Sequence, residues 1–75
     1  MVNMLILINQ NIRIAAAYKS ARTDTATAKL LRMPAQTYRD RMKHPGLWRL
    51  DELTAAAERL GVSLAWLLEP HTLEI

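Results

Sequence analysis

The chain has 75 residues, 51% of them hydrophobic and 23% charged, with no cysteine and a formal net charge of +3. A chain of that length forms one small domain, buries only about 60% of the surface its unfolded form exposes, and holds no deep cleft between lobes. Without cysteine there is no disulfide framework or thiolate metal site, His44 and His71 are too far apart for a histidine-rich zinc site, and no apolar run approaches the ~20 residues that cross a bilayer.

No apolar run exceeds five residues, and the first of that length is Met4 to Ile8. No basic segment precedes it and no small-residue cleavage site follows, so a cytoplasmic domain with no membrane association is expected. The periodicity is helical along the whole chain. A first helix is predicted over about Met4 to Ala21, with Leu5, Ile8, Ile12, Ala15 and Ala16 at three- and four-residue spacing. The β-branched start gives an alternative, a short strand or arm over residues 1–7. Asn9 and Asn11 are poor interior helix formers and favour a helix that begins near Ile8.

Thr23 caps a second helix, with Asp24 well placed in its first turn and Ala28 and Leu31 facing inward. The chain turns at Arg32-Met33-Pro34, because proline disfavours helix in the residue before it and suits the start of the next. A third helix follows over about Pro34 to Lys43, with Tyr38 and Met42 on one face. His44-Pro45-Gly46 stops it. A connector through Trp48 leads to a fourth helix, about Leu50 to Leu60, with an inner stripe of Leu50, Leu53, Ala57 and Leu60. Gly61 ends it. Ser63 caps a short fifth helix, Leu64 to Glu69, ended by Pro70, and residues 71–75 read as a frayed tail. The expectation is an all-α fold of five short helices in a single domain, residues 1–75, with a strand-like start as the alternative.

The charge is unevenly distributed. Residues 1–49 carry nine basic residues against Asp24 and Asp40, a balance of +7, and residues 50–75 carry Arg59 against five acids, a balance of −4. A solvated face on a basic protein would look the same by count alone. The division also suits a polyanion at one end and not at the other.

Two helices joined by a tight turn over about residues 23–44, the second bearing Gln36, Arg39 and Lys43, form a helix-turn-helix signature. A helix that enters the major groove needs donors for base edges and cations for phosphates on its exposed face. The helix crossing it needs a small residue at the contact, and Ala28 fits. Ala28, Leu31, Met33, Tyr38 and Met42 would make the shared apolar wedge.

The stretch Thr23 to Glu69 resembles the lambda-repressor-like (Cro-type, XRE family) helix-turn-helix DNA-binding domains of phage and bacterial regulators. AKLLRMPAQTYRDRMKHPG is similar to a variant in which a Leu-Gly-Met-Ser turn precedes a helix ending in Asn-Pro-Gly. RLDELTAAAERLGVSLAWLLE is similar to the fourth and fifth helices of the same domains. The likeness covers about two-thirds of the chain. It departs from the family pattern in three places. Arg32 stands where the family has glycine, so a left-handed turn there costs an extra ~1 kcal/mol or the turn differs. Pro34 replaces the Ser or Thr cap of the recognition helix, worth ~1 kcal/mol. Ala65-Trp66 replaces two polar residues.

The expected base-reading residues are Gln36, whose amide pairs with adenine, Arg39, which reads guanine or clamps phosphate, and Ala35, whose methyl group meets thymine. Expected at phosphates are Thr23, Thr25 and Lys29 near the start of the supporting helix, Thr37 and Lys43 on the recognition helix, and Arg49 in the connector. Thr23 serves equally as a plain cap. Asp40 is expected to pair with a neighbouring arginine or accept from cytosine. Arg41 is expected to lay its stem over the core with its head on the DNA backbone. Trp48 is read as a packing residue, and His44 as a helix-end residue. On the fifth helix, Leu64, Leu67 and Leu68 are expected inward, leaving Ala65 and Trp66 outward. With Leu73 in the tail and Ile6 in the arm they make a candidate homodimer interface.

The resulting expectation is a sequence-specific regulator of transcription that binds double-stranded DNA, a repressor acting as a homodimer on a near-palindromic operator. The alternative is a helical protein-interaction module, antitoxin-like or a phage-encoded inhibitor, that engages a protein partner through the Trp66 patch. No enzyme, metal or cofactor is expected. The carboxylates Asp51, Glu52 and Glu58 fall on a solvated helix, and there is no Ser/His/Asp set or glycine-rich phosphate loop. An RNA-binding role fits the charge, but the chain has only four aromatics (Tyr18, Tyr38, Trp48 and Trp66) and no stacking motif.

Overall fold

A computed structural model describes residues 4–71. The elements are α1 (Met4–Tyr18), α2 (Asp24–Leu30), α3 (Ala35–Lys43), a single 3-10 turn (Pro45–Leu47), α4 (Leu50–Leu60) and α5 (Leu64–Leu67). Among the described residues there are five α-helices and no strand.

The first helix starts at Met4 as predicted, and the alternative of a strand or arm over residues 1–7 is set aside where it can be seen, residues 1–3 lying outside the described part. A helix wins because it buries Leu7 and Ile8 on one side and gives Asn9 and Asn11 partners that no local preference foretells. Asn9 Nδ2 donates to the Arg41 and Met42 carbonyls, both at 3.2 Å, at the C-terminal end of α3. Its Oδ1 accepts from Trp48 Nε1 at 2.7 Å. Asn11, fully buried, donates through Nδ2 to the Leu67 carbonyl at 2.9 Å and to that of Glu69. The last carbonyls of a helix have no partner within it, and α1 supplies them for two helices at once.

α1 ends three residues earlier than expected, at Tyr18. Ser20 takes φ 65°, and the Ala21 and Ser20 amides close back onto Ala16 and Ala17 carbonyls, each at 2.9 Å. The same double closure ends α2 at Arg32, φ 57°, with Met33 N–H to Ala28 O at 2.9 Å and Arg32 N–H to Lys29 O at 3.1 Å. It ends α4 at Gly61, φ 73°. This is the Schellman arrangement, which favours glycine at its left-handed residue. The turn before α3 therefore keeps the left-handed geometry in spite of its arginine.

The expected caps form. Thr23 Oγ1 accepts from Ala26 N–H at 3.1 Å, and Ser63 Oγ from Trp66 N–H at 3.0 Å. Pro34 precedes α3 with no side-chain cap. Glu52 Oε1 accepts from Arg49 N–H at 2.9 Å, closing the start of α4.

The core joins Ile8, Ile12, Ala15 and Ala16 of α1 to Ala28 and Leu31, Tyr38, Trp48, the α4 stripe and Leu67. That stripe is Leu53, Ala56, Ala57 and Leu60. Leu50, expected in it, is 70% exposed, because it stands at the first position of α4, a turn before the buried stripe begins.

Candidate nucleic-acid interface

An α-helix turns 100° per residue, so Gln36, Arg39, Asp40 and Lys43 fall on one ridge of α3 and Tyr38 on the opposite side. The burial follows that geometry. Gln36, Arg39 and Lys43 are exposed, Asp40 is half-buried and Tyr38 is fully buried. Tyr38 meets the inward face of α2, where Ala28 and Leu31 are buried. Burial pushes the Tyr38 phenol above its ordinary value; the Asp24 carboxylate adds to this and Arg13 offsets part of it. The wedge behind the ridge is thus apolar and shut, with Met33 and Met42 packed at its edge.

On the ridge, Gln36 Nε2 donates to Asp40 Oδ1 at 3.0 Å, one helical turn on. Asp40 therefore pairs with a glutamine rather than with a neighbouring arginine. Ala35 is half-buried and packed against the core, and Thr37 is half-buried on the flank.

Arg41 departs from expectation. Its head turns to α4, where Nε and Nη2 each lie 3.0 Å from a different Glu52 oxygen. Hydrogen bonding in this fork holds the Arg41 guanidinium above and the Glu52 carboxyl below their usual ranges. It ties α3 to α4 and withdraws one cation from the outer face. The pairing spans eleven residues across two helices, and only the coincidence of an arginine and a glutamate hints at it in the sequence.

Thr23, Thr25 and Lys29 are all exposed on the α2 side. Thr23 is occupied as the cap, and Thr25 stands in the first turn. Lys29 is not near the start of the helix, because α2 has only seven residues and Lys29 lies in its last turn. Arg49 is exposed beside α4 and reaches Asp51 Oδ1 at 3.5 Å, an ion pair in full contact with solvent. Trp48 is buried, as expected of a packing residue.

The expected dimer residues that are described differ in setting. Ala65 is exposed, but Trp66 is half-buried and its ring stacks on His71, centroids 3.8 Å apart at 14°. His71 Nε2 also donates to the Trp66 carbonyl at 2.8 Å, so a residue expected in a frayed tail covers the indole. Leu68, expected inward, is 37% exposed. Ile6 is 61% exposed and lies on a different side, where it lines a groove of about 630 Å³ with Gln10, Arg13, Ile14, Met42 and Lys43. Leu73 lies outside the described residues.

Among the described residues, no group of three His, Asp or Glu side chains is placed to hold a metal ion. No described helix is long and apolar enough to cross a membrane. Comparison of the chain with protein-family models, with curated proteins and with solved structures finds no match.

Proposed function

We propose that the chain is a sequence-specific, double-stranded-DNA-binding regulator of transcription, a repressor with a lambda-repressor-like helix-turn-helix formed by α2 and α3. The observation that carries this reading is the two-sided character of α3. One side is locked into an apolar wedge by Tyr38, and the other offers Gln36, Arg39 and Lys43 to solvent. Such a helix has the donors and cations that a major groove requires. Phosphate contacts supply affinity, and Gln36 with Arg39 supply the choice of sequence. The rival reading, a protein-interaction module built on Trp66, has less support because His71 already covers that indole.

Selection from a random duplex library, followed by titration of the enriched site at several salt concentrations, tests the proposal. One site should bind far better than random DNA, with affinity that falls steeply as salt rises. Gln36→Ala and Arg39→Ala should each lower discrimination by ~1–3 kcal/mol per lost base contact. Equal, weak binding to every duplex would remove the reading.

A further inference from the structure

Asp40 is out of character on a ridge that meets a polyanion. It is the one acid among Gln36, Arg39, Asp40 and Lys43, and a carboxylate there repels phosphate. It is not taken up by the adjacent guanidinium, since Arg41 turns away to Glu52. Its Oδ1 instead accepts from Gln36 Nε2 at 3.0 Å. We propose that Asp40 is a positioning residue, which fixes the Gln36 amide so that Gln36 reads adenine. The inference rests on the DNA-binding reading above.

The chemistry is that of a carboxamide beside a carboxylate. The oxygen and nitrogen ends of a glutamine amide are nearly the same size, and a free side chain presents either one. An ionised carboxylate only accepts, so the nitrogen end has to face Asp40. One Nε2 hydrogen is used there. What remains is one N–H donor beside the Oε1 acceptor, in a fixed order along the ridge. Adenine offers the matching pair in the major groove, an N7 acceptor beside an N6 donor, whereas guanine offers two acceptors. The carboxylate thus adds no contact of its own to DNA and determines which contact Gln36 can make.

The test is binding-site selection with the wild type, Gln36→Ala, Asp40→Ala and the double variant, with circular dichroism and thermal unfolding to verify folding. The wild type should prefer adenine at one position, and Gln36→Ala should lose that preference. Asp40→Ala should weaken it at the same position by about three- to tenfold and leave the other positions unchanged. The double variant should be no worse there than Gln36→Ala alone, as a shared contact requires. Asp40→Asn, which can donate as well as accept, should fall between wild type and Asp40→Ala. An unchanged adenine preference in Asp40→Ala overturns the proposal. A change at a different position also overturns it, because Asp40 would then be reading a base itself. If the wild type enriches no sequence, the DNA-binding reading itself fails, so the two failures are distinguishable.

Discussion

Ser20, Arg32 and Gly61 hold the same place at three helix ends, each with φ between 57° and 73°. For an L-residue other than glycine that conformation costs roughly 1–2 kcal/mol, against which glycine's extra freedom in the unfolded chain sets some tenths to 1 kcal/mol. Ser20→Gly and Arg32→Gly should therefore each stabilise the fold by up to about 1 kcal/mol, which for a domain of this size raises Tm by about 4–8 °C per kcal/mol. Gly61→Ala should do the reverse. A Cβ there would sit 3.6 Å from Lys19 Cε, an ordinary contact, so the loss would come from the backbone and not from crowding. Thermal melts of the three variants check this, and a fall in Tm for Arg32→Gly would show that the arginine side chain outweighs its backbone cost. A left-handed residue at Arg32 was one of two outcomes that the resemblance left open, the other being a different turn. The fork between Arg41 and Glu52 was not legible in the sequence, since it depends on how two helices lie in space.

At the scale of elements, α1 works as a strut that finishes its neighbours. Asn9 completes the end of α3 and receives the Trp48 indole, and Asn11 completes the end of α5. A buried polar group left without its partner costs about 1–3 kcal/mol. Asn9→Ala and Asn11→Ala should each cost about 2–4 kcal/mol, a large part of the roughly 4–11 kcal/mol expected for a chain of this length. Denaturant titration measures it, and midpoints unchanged from wild type would show that water satisfies those carbonyls equally well. Helix boundaries were legible where punctuation is strong: α4 spans Leu50–Leu60 as expected, set by its apolar stripe and by Gly61. The start of α1 at Met4 was one of several readings left open, beside a strand-like arm and a start near Ile8, and long-range bonds from two asparagines decided it against their weak helix propensity. The cover over Trp66 escaped notice for a similar reason, as a histidine five residues on carries no periodic signal.

The whole molecule has a radius of gyration of 11.1 Å, close to the about 11 Å expected of a folded chain this long. Its extents are 31 × 29 × 19 Å. Successive major grooves on one side of a duplex lie ~34 Å apart, so under the proposed function one copy serves a single groove. Two copies on adjacent half-sites would be within touching distance. Those lengths leave room for a homodimer, which we propose for such a site, with the exposed Ile6 a better anchor than the covered Trp66. Light scattering at about tens of micromolar, free and on the selected duplex, should give two copies per site. Ile6→Asp should weaken that association more than Trp66→Ala. A monomer in both states, or the reverse order of the two variants, removes this arrangement. The charge is +7 over residues 1–49 and −4 over residues 50–75. The acidic segment contains α4, whose Glu52 draws Arg41 away from the outer face of α3.

The two indoles stand in contrasting settings. Trp48 is buried, with its N–H given to the same asparagine that holds the end of α3. Trp66 lies flat against an imidazole at the end of α5. The molecule thus carries two indole reporters at different places, one sensing the seat of α3 and the other the closure of the C-terminal turn. Replacing either tryptophan by phenylalanine leaves a single indole, which, excited apart from Tyr18 and Tyr38, watches one of these events alone.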